Sequence, residues 1–185
     1  MDSIMDIIKK RMSIRAYTDQ TLTEETITSI MEAARCAPSA RNLQQLEYKV
    51  ITNKALIRKI SDRIIIVLKN NLASSPARPG APPPMPVRPD YYYNSPLLII
   101  ITGLRENSWT DSDAGIAAEN MMLYATSINL GSCFIGMTRL IEKDPQMLRE
   151  LHITEDRKIA GAVVCGYPDE KPAAKEKHLK AEFFR

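Results

Sequence analysis

The chain has 185 residues, of which 44% are hydrophobic and 25% charged, and a formal net charge of +3. These proportions are typical of a globular domain and exclude a disordered, collagen-like or disulfide-stapled chain. The length predicts one domain over residues 1–185, and the small positive charge gives little support for nucleic-acid binding.

The cysteines and the N-terminal residues bear on compartment and metal binding. Cys36, Cys133 and Cys165 show no Cys-x-x-Cys spacing, so neither a disulfide framework nor a metal site is predicted. The first residues are acidic where a signal peptide would be basic, and the longest apolar run, 96–101, is far shorter than the ~20 residues that span a bilayer. We therefore expect a cytoplasmic protein that binds no membrane.

The first 40 residues predict two helices joined by an extended link. Apolar residues at helical spacing indicate a short helix over 3–10, after which the polar stretch SIRAYTDQ is expected to be extended. Thr23 is a suitable N-cap for the second helix, which Pro38 ends.

A strand and a long helix are predicted next. Residues 46–52, LEYKVIT, alternate as a half-buried strand does. The half-buried face would carry Leu46, Tyr48 and Val50. Apolar residues at helical spacing then predict a helix over 54–71.

Residues 74–89, SSPARPGAPPPMPVRP, contain seven prolines and one glycine. This composition can form neither a helix nor a central strand. A loop of this length within a domain is usually functional, and we predict that it is an active-site lid.

The second half of the chain predicts a further alternation of strands and helices. Residues 97–103 are a continuous apolar strand, and 111–129 a helix for which Gly131 supplies the left-handed C′ position. Asp144 is the N-cap of another helix, and 158–168 form a last strand before the basic tail, residues 169–185.

These elements predict an α+β fold in which a central mixed sheet is flanked by helices. The helix over 111–129 is nearly apolar all round, as helices buried on most sides are. In so small a domain such burial indicates a partner subunit, so we predict a homodimer built around this helix.

Arg11, Ser13 and Arg15 are the first candidate binding residues. In an extended link, side chains two residues apart project to the same side, so two guanidiniums and a hydroxyl would meet. Such a group binds phosphate oxygens well. A solvated basic surface at the end of a helix is the alternative, because cations there complement the helix dipole.

Two further segments carry candidate ligand-binding groups. The stretch APSARNLQQ, residues 37–45, offers hydroxyl and amide groups that suit a flavin or a base, or else caps its own turn. Residues 128–137 form a glycine-bounded turn where backbone N–H groups could approach a ligand. Neither a Rossmann nor a P-loop motif is present.

Three motifs, in order, resemble the FMN-dependent nitroreductase family. They are RMSIRAY with the following APSARNLQQ, then DAGIAAENMMLYATSINLGSCFIG, and finally VVCGYP. The resemblance covers almost the whole chain and implies the nitroreductase-like fold: an intertwined homodimer with two FMN molecules at the subunit interface.

The resemblance also implies which residues bind FMN. Arg11 and Ser13 would hold the ribityl phosphate, Arg15 would lie near flavin N1 and O2, and Ile135 with Gly136 would offer N–H groups toward N5 and O4. Pro38, Ser39 and Asn42 would come from the other subunit, and Asn70 or Asn71 would lie beside the pyrimidine ring. The full predicted set is Arg11, Met12, Ser13, Arg15, Pro38, Ser39, Asn42, Gln44, Asn71, Phe134, Ile135, Gly136, Lys175 and Lys177.

The activity implied by the resemblance is that of an NAD(P)H-dependent FMN oxidoreductase. NADH or NADPH would reduce the flavin and leave, and a nitroaromatic, quinone or similar conjugated acceptor would then enter the same site. The flavin does the chemistry, so no catalytic protein residue is predicted. Arg41 and Leu46 depart from the family pattern beside the pocket, and this leaves the acceptor open.

Two alternatives remain. One is a flavin-binding protein that stores or senses FMN without nicotinamide turnover. The other is a flavin enzyme of the same fold with different chemistry, such as reductive dehalogenation or flavin fragmentation.

Overall fold

The computed structural model describes residues 3–74, 87–173 and 176–184. Within them lie, in chain order, α1 (Ile4–Lys10), α2 (Glu24–Arg35), β1 (Glu47–Ile51), α3 (Lys54–Ser74), β2 (Leu97–Leu104), α4 (Thr110–Ser127), β3 (Gly131–Phe134), α5 (Pro145–Glu150) and β4 (Arg157–Gly166). Short 3-10 segments cover Ala40–Asn42 and Gly136–Lys143. Most of the predicted lid, over 75–86, falls outside the described residues.

The four strands form one sheet in the order β1-β2-β4-β3, and all neighbouring strands are antiparallel. A mixed sheet was predicted. Within the described residues, the only parallel pairing is the single bridge between Ser13 and Ser132. The α+β architecture predicted from the sequence is confirmed.

Strand β2 is buried on both faces, as its continuous apolar run predicted. Successive residues of a strand point to opposite faces. Leu98 and Ile100 therefore belong to one core, and Leu97, Ile99 and Ile101 to the other. The sheet is thus the middle layer of the fold.

Helices cover both faces of this sheet. Helix α3 contributes Ile57, Ile60 and Ile64 to the core that contains Leu98 and Ile100. On the opposite face, α2 and α4 contribute Ile30 and Met121, among others, to the second core. Within the described residues, every helix is too short or too polar to cross a lipid bilayer.

The predicted end of α4 was wrong by two residues. The helix ends at Ser127, and the left-handed position is Asn129, with φ 61°, instead of Gly131. Asn tolerates this conformation better than most residues because its side chain is short and polar. Gly131 begins strand β3, in a segment that was predicted to be only a turn.

Gly131 is instead required by close packing. An added Cβ would lie 2.8 to 2.9 Å from three side-chain atoms of Ile14. The link after α1 therefore passes directly over the start of β3.

The predicted half-buried face of β1 was only partly correct. Leu46 and Tyr48 pack against the second core, but Val50 is 41% exposed and Ile51 is buried instead. Ile51 lies on the opposite face of the sheet from Val50 and packs in the core that contains Leu98 and Ile100.

We predict that Gly131→Ala lowers the free energy of unfolding by about 2 kcal/mol, since the new methyl group overlaps Ile14. Urea unfolding followed by circular dichroism measures this change. Gly136→Ala is the matched control, because an added Cβ there has no atom within 4 Å, and its stability should stay within about 0.5 kcal/mol of the parent. Equal stabilities for both variants would contradict the packing argument.

Candidate functional site

The link after α1 is held in place by residues that are distant in sequence. The amide of Ile14 donates to the carbonyl of Ser132 at 2.9 Å. Further along, the Thr18 amide donates to the Tyr167 carbonyl at 3.0 Å, and the Arg15 amide donates to the carboxylate of Glu170. The link therefore lies between β3 and the chain that follows β4.

A cavity of about 220 Å³, here called the cation cavity, opens beside this link. It is lined by Lys9, Arg11, Met12, Ser13, Arg15, Pro172, Ala173 and Lys177. Four basic side chains and one hydroxyl thus share one small space. Such a set binds phosphate or carboxylate oxygens by charge-assisted hydrogen bonds.

Arg11 is anchored at this cavity by helix α4. Its Nε lies 3.3 Å from a carboxylate oxygen of Glu119, and its side chain is only 18% exposed. One edge of the guanidinium is thereby fixed, which reduces the entropy lost when the rest of the group binds an anion.

Burial and nearby charges act in opposite directions on the pKa of the Cys133 thiol, which lies in the same region. Burial raises the pKa of its thiol, while the nearby guanidiniums of Arg15 and Arg11 act in the opposite direction. Burial is the larger effect, so the thiol is protonated at neutral pH.

A second cavity of about 210 Å³ adjoins the first through Arg15. It is lined by Arg15, Arg88, Tyr91, Tyr93, Cys133, Phe134, Ile135, Gly136 and Met137. A Cβ added at Gly136 would meet no atom within 4 Å, so the backbone there is open to close approach. Apolar and aromatic walls with two guanidiniums suit a flat, polar-edged ring.

A larger cavity of about 620 Å³ continues outward and shares Arg15, Arg88 and Tyr93 with the second cavity. Arg15 therefore borders all three cavities.

Pro38, Ser39 and Gln44 lie elsewhere, around a separate cavity of about 430 Å³ that shares no lining residue with the three described above. A single copy of the chain therefore does not bring the two predicted groups of residues together. Several polar groups of this second set of residues hydrogen-bond to one another. Ser39 Oγ accepts from the Gln44 amide at 3.0 Å, and Asn42 Oδ1 accepts from Gln44 Nε2 at 2.9 Å.

The loop that carries these residues has an unusual backbone. Arg41, Asn42 and Gln44 have φ values of 53°, 55° and 49°. This left-handed region is unfavourable for residues other than glycine, and it persists only where surrounding contacts hold it.

Asp113 of α4 supplies one such contact. Its Oδ1 accepts from the Ala40 amide at 3.0 Å, and the residue is 3% exposed. Its Oδ2 is also buried and has no hydrogen-bond partner within the described residues. The carboxylate thus ties the strained loop to the central helix.

Three predicted residues remain: Asn71, Lys175 and Lys177. Asn71, at the end of α3, accepts from Lys143 Nζ at 3.1 Å and lines none of the four cavities named above. Lys177 lines the cation cavity, whereas Lys175 falls outside the described residues.

Several cavity residues were absent from the predicted set. Cys133 lines the second cavity, and the Glu170 carboxylate accepts from the Arg15 amide. Both depend on the pairing of the link with β3 and with the chain after β4, which no local sequence pattern signals. Arg88, Tyr91 and Tyr93 line the second cavity and were also absent from the predicted set. In the part of the chain that the structure describes, no cluster of His, Cys, Asp or Glu could hold a metal ion.

Comparison with known proteins identifies the family to which this architecture corresponds. Residues 8–167 match the model of the Nitroreductase family. A putative NADH dehydrogenase/NAD(P)H nitroreductase of Archaeoglobus fulgidus is 28% identical, over 92% of this chain and 89% of that protein. An FMN reductase [NAD(P)H] of Bacillus subtilis is also 28% identical, over 95% of this chain and 70% of that protein.

A solved structure agrees in fold over the full length. The nitroreductase from Bacteroides fragilis, crystallised with bound FMN, superposes with a TM-score of 0.82 at 28% identity. The alignment covers 100% of this chain and 98% of that one.

We predict that Asp113→Ala releases the loop over 39–44. Loss of a buried charge-assisted hydrogen bond should speed amide exchange at Ala40 by about tenfold or more, as measured by hydrogen–deuterium exchange. Ser112→Ala, the exposed neighbour on the same helix, is the control and should leave exchange unchanged. Unaltered exchange in Asp113→Ala would show that the loop is held by other contacts.

Proposed function

The chain belongs to the nitroreductase family, and we propose that it is an NAD(P)H-dependent FMN oxidoreductase whose acceptor is a nitroaromatic, a quinone or a similar conjugated molecule. The observation that carries the proposal is that Arg15 lines both the cation cavity and the second cavity. The first suits a phosphate and the second a ring, which are the two ends of FMN.

The residues present fit this cofactor. Arg11, Ser13 and Lys177 would hold the phosphate, because they line the cation cavity and offer charged and hydroxyl donors. The backbone of Ile135 and Gly136 would approach the ring, since Gly136 leaves its side of the second cavity open. When bound, FMN supplies two-electron transfer from NAD(P)H to the acceptor.

Arg15 contributes electrostatic stabilisation at the junction of the two cavities. A fixed cation next to a ring that gains negative charge on reduction favours the reduced form. The net reaction takes up NAD(P)H, a proton and the acceptor, and it releases NAD(P)⁺ and the acceptor with two more electrons and two more protons. We infer that the two substrates use the 620 Å³ cavity in turn, as in a ping-pong cycle.

The proposal includes a homodimer. Helix α1 has no buried residue, and Ile4 is 77% exposed. Ile116 of α4 and the tail residues Phe183 and Phe184 are exposed as well. A partner subunit would cover these large apolar side chains. In the dimer, Pro38, Ser39 and Asn42 of one copy would complete the flavin site of the other.

The remaining expectations stand as parts of the same proposal. We infer one domain over 1–185, with 74–89 as a lid and 169–185 as a basic tail. The three cysteines are free, which fits a reducing cytoplasm.

Removal of the phosphate contacts tests the cofactor site. Arg11→Ala combined with Ser13→Ala should raise the dissociation constant for FMN by about 100-fold, because two or three polar contacts to a charged group are lost. Fluorescence titration measures the constant, and a circular dichroism melt checks that the chain is folded. Arg149→Ala, on the exposed surface of α5, is the charge control. Retention of tight FMN binding by the double variant would exclude this phosphate site.

The electron donor distinguishes the reductase from an FMN store or sensor. The yellow holoprotein is mixed anaerobically with NADH or with NADPH. At least one of the two donors should reduce the flavin and bleach its yellow absorbance band. Persistent colour with both donors would support the storage or sensing alternative.

The dimer is tested at the exposed face of α4. The protein should sediment at twice 20.8 kDa, and Ile116→Glu should yield monomers that have lost FMN, because a buried unpaired charge is costly. Ile66→Glu changes a residue of similar exposure on α3, 45% against 42% for Ile116, and should remain a dimer. A monomeric parent protein that binds FMN would refute the shared site.

A further inference from the structure

The 620 Å³ cavity is large enough for a second ligand beside the proposed flavin. Its walls come from the link (Arg15 to Tyr17), the first turns of α3 (Lys54 to Arg58) and the segment from Arg88 to Ser95. Arg88 and Tyr93 line both this cavity and the second cavity, so they stand where the two meet.

Most of the charged side chains that line this cavity are paired with neighbouring residues. Lys54 Nζ lies 2.7 Å from Asp19 Oδ1, and Arg58 Nε lies 3.0 Å from Asp62 Oδ1. The one carboxylate in the wall, Asp90, is also engaged. It accepts from the amides of Tyr92 and Asn94 at 2.9 and 2.7 Å, which fixes the turn that carries the tyrosines.

Within the described residues, the exceptions among the cations of this wall are Arg15, assigned above to the flavin, and Arg88. No carboxylate lies within 4.0 Å of its guanidinium in the described ranges 3–74, 87–173 and 176–184. Its guanidinium carbon lies 5.8 Å from the centroid of the Tyr93 ring, a cation–π contact that orients the group and leaves its N–H donors available. A guanidinium in this state is suited to bind a planar anion through two parallel hydrogen bonds.

We propose that Arg88 selects for an anionic second ligand by binding its carboxylate or phosphate group at the junction of the two cavities. The inference rests on the proposed function and deepens it by naming a chemical class of substrate. Tyr93, which lines the same junction, holds the guanidinium in place through its ring and leaves the anion to the N–H groups.

Two molecules of equal shape and different charge test the proposal without turnover. Benzoate and benzamide are titrated into the oxidised, FMN-loaded protein, and binding is followed by the change in flavin absorbance. Arg88→Ala should raise the dissociation constant of benzoate by about tenfold and that of benzamide by less than about twofold. Arg88→Lys should recover part of the loss, because it keeps the charge and lacks the planar fork.

Arg149→Ala is the matched control, since it removes the same charge from the exposed surface of α5. It should change neither constant. Raising the ionic strength should narrow the difference between benzoate and benzamide in the parent protein, because exposed charges are screened.

Steady-state kinetics then distinguish the two sources of the anion. If the group is a phosphate of the electron donor, Arg88→Ala raises KM for NADH and leaves KM for reduced nicotinamide riboside, which has no phosphate, unchanged. If the group belongs to the acceptor, the variant raises KM for 4-nitrobenzoate and leaves KM for 4-nitrobenzamide unchanged. Either pattern supports the proposal.

The proposal is overturned if the parent binds benzoate no more tightly than benzamide, or if Arg88→Ala changes both constants equally. Its failure is separable from that of the proposed function. A parent protein that holds FMN and is bleached by NADH retains the proposed function even when Arg88 shows no selectivity. A parent that neither binds FMN nor oxidises a donor refutes both.

Discussion

The candidate site depends on one short backbone contact, the parallel bridge between Ser13 and Ser132. It brings the link after α1 against the edge of the sheet, and Gly131 allows the approach because Ile14 occupies the space of a side chain. With Ile14 fixed below, the alternate residues Ser13 and Arg15 face the cavities. The geometry of the cationic group is therefore set by the sheet, which is the most rigid part of the fold.

The local concentration of charge matters more than the total. A net charge of +3 is unremarkable for 185 residues, yet four basic side chains line one cavity of about 220 Å³. The cations elsewhere are mostly paired with carboxylates on the surface, where such pairs contribute little to stability. Among the described residues, the ion pair with Glu119 offsets only one of the four charges, so the cation cavity keeps a local excess of positive charge.

The sequence predicts the helices and strands well, but it predicts the contacts between distant segments poorly. Helix α2 begins at Thr23 as predicted, and β2 is buried on both faces as its apolar run indicated, because capping and hydrophobic periodicity are local properties. Arg11, Ser13 and Arg15 could be chosen because an extended link places alternate residues on one side. The contacts of the link with Ser132 and Glu170 could not be predicted, since they pair segments more than a hundred residues apart. The end of α4 was missed because Asn129 assumes the conformation that glycine usually takes.

The contacts of residues 11–18 also constrain the order in which the molecule is assembled. Ile14 bonds to Ser132, Thr18 to Tyr167, and Arg15 to Glu170, so these contacts require more than a hundred further residues to have been synthesised. Contacts of such long sequence separation form late, because closing the intervening loop costs entropy before any contact is gained. The cation cavity therefore requires strand β3 and the chain after β4 to be in place beside the link.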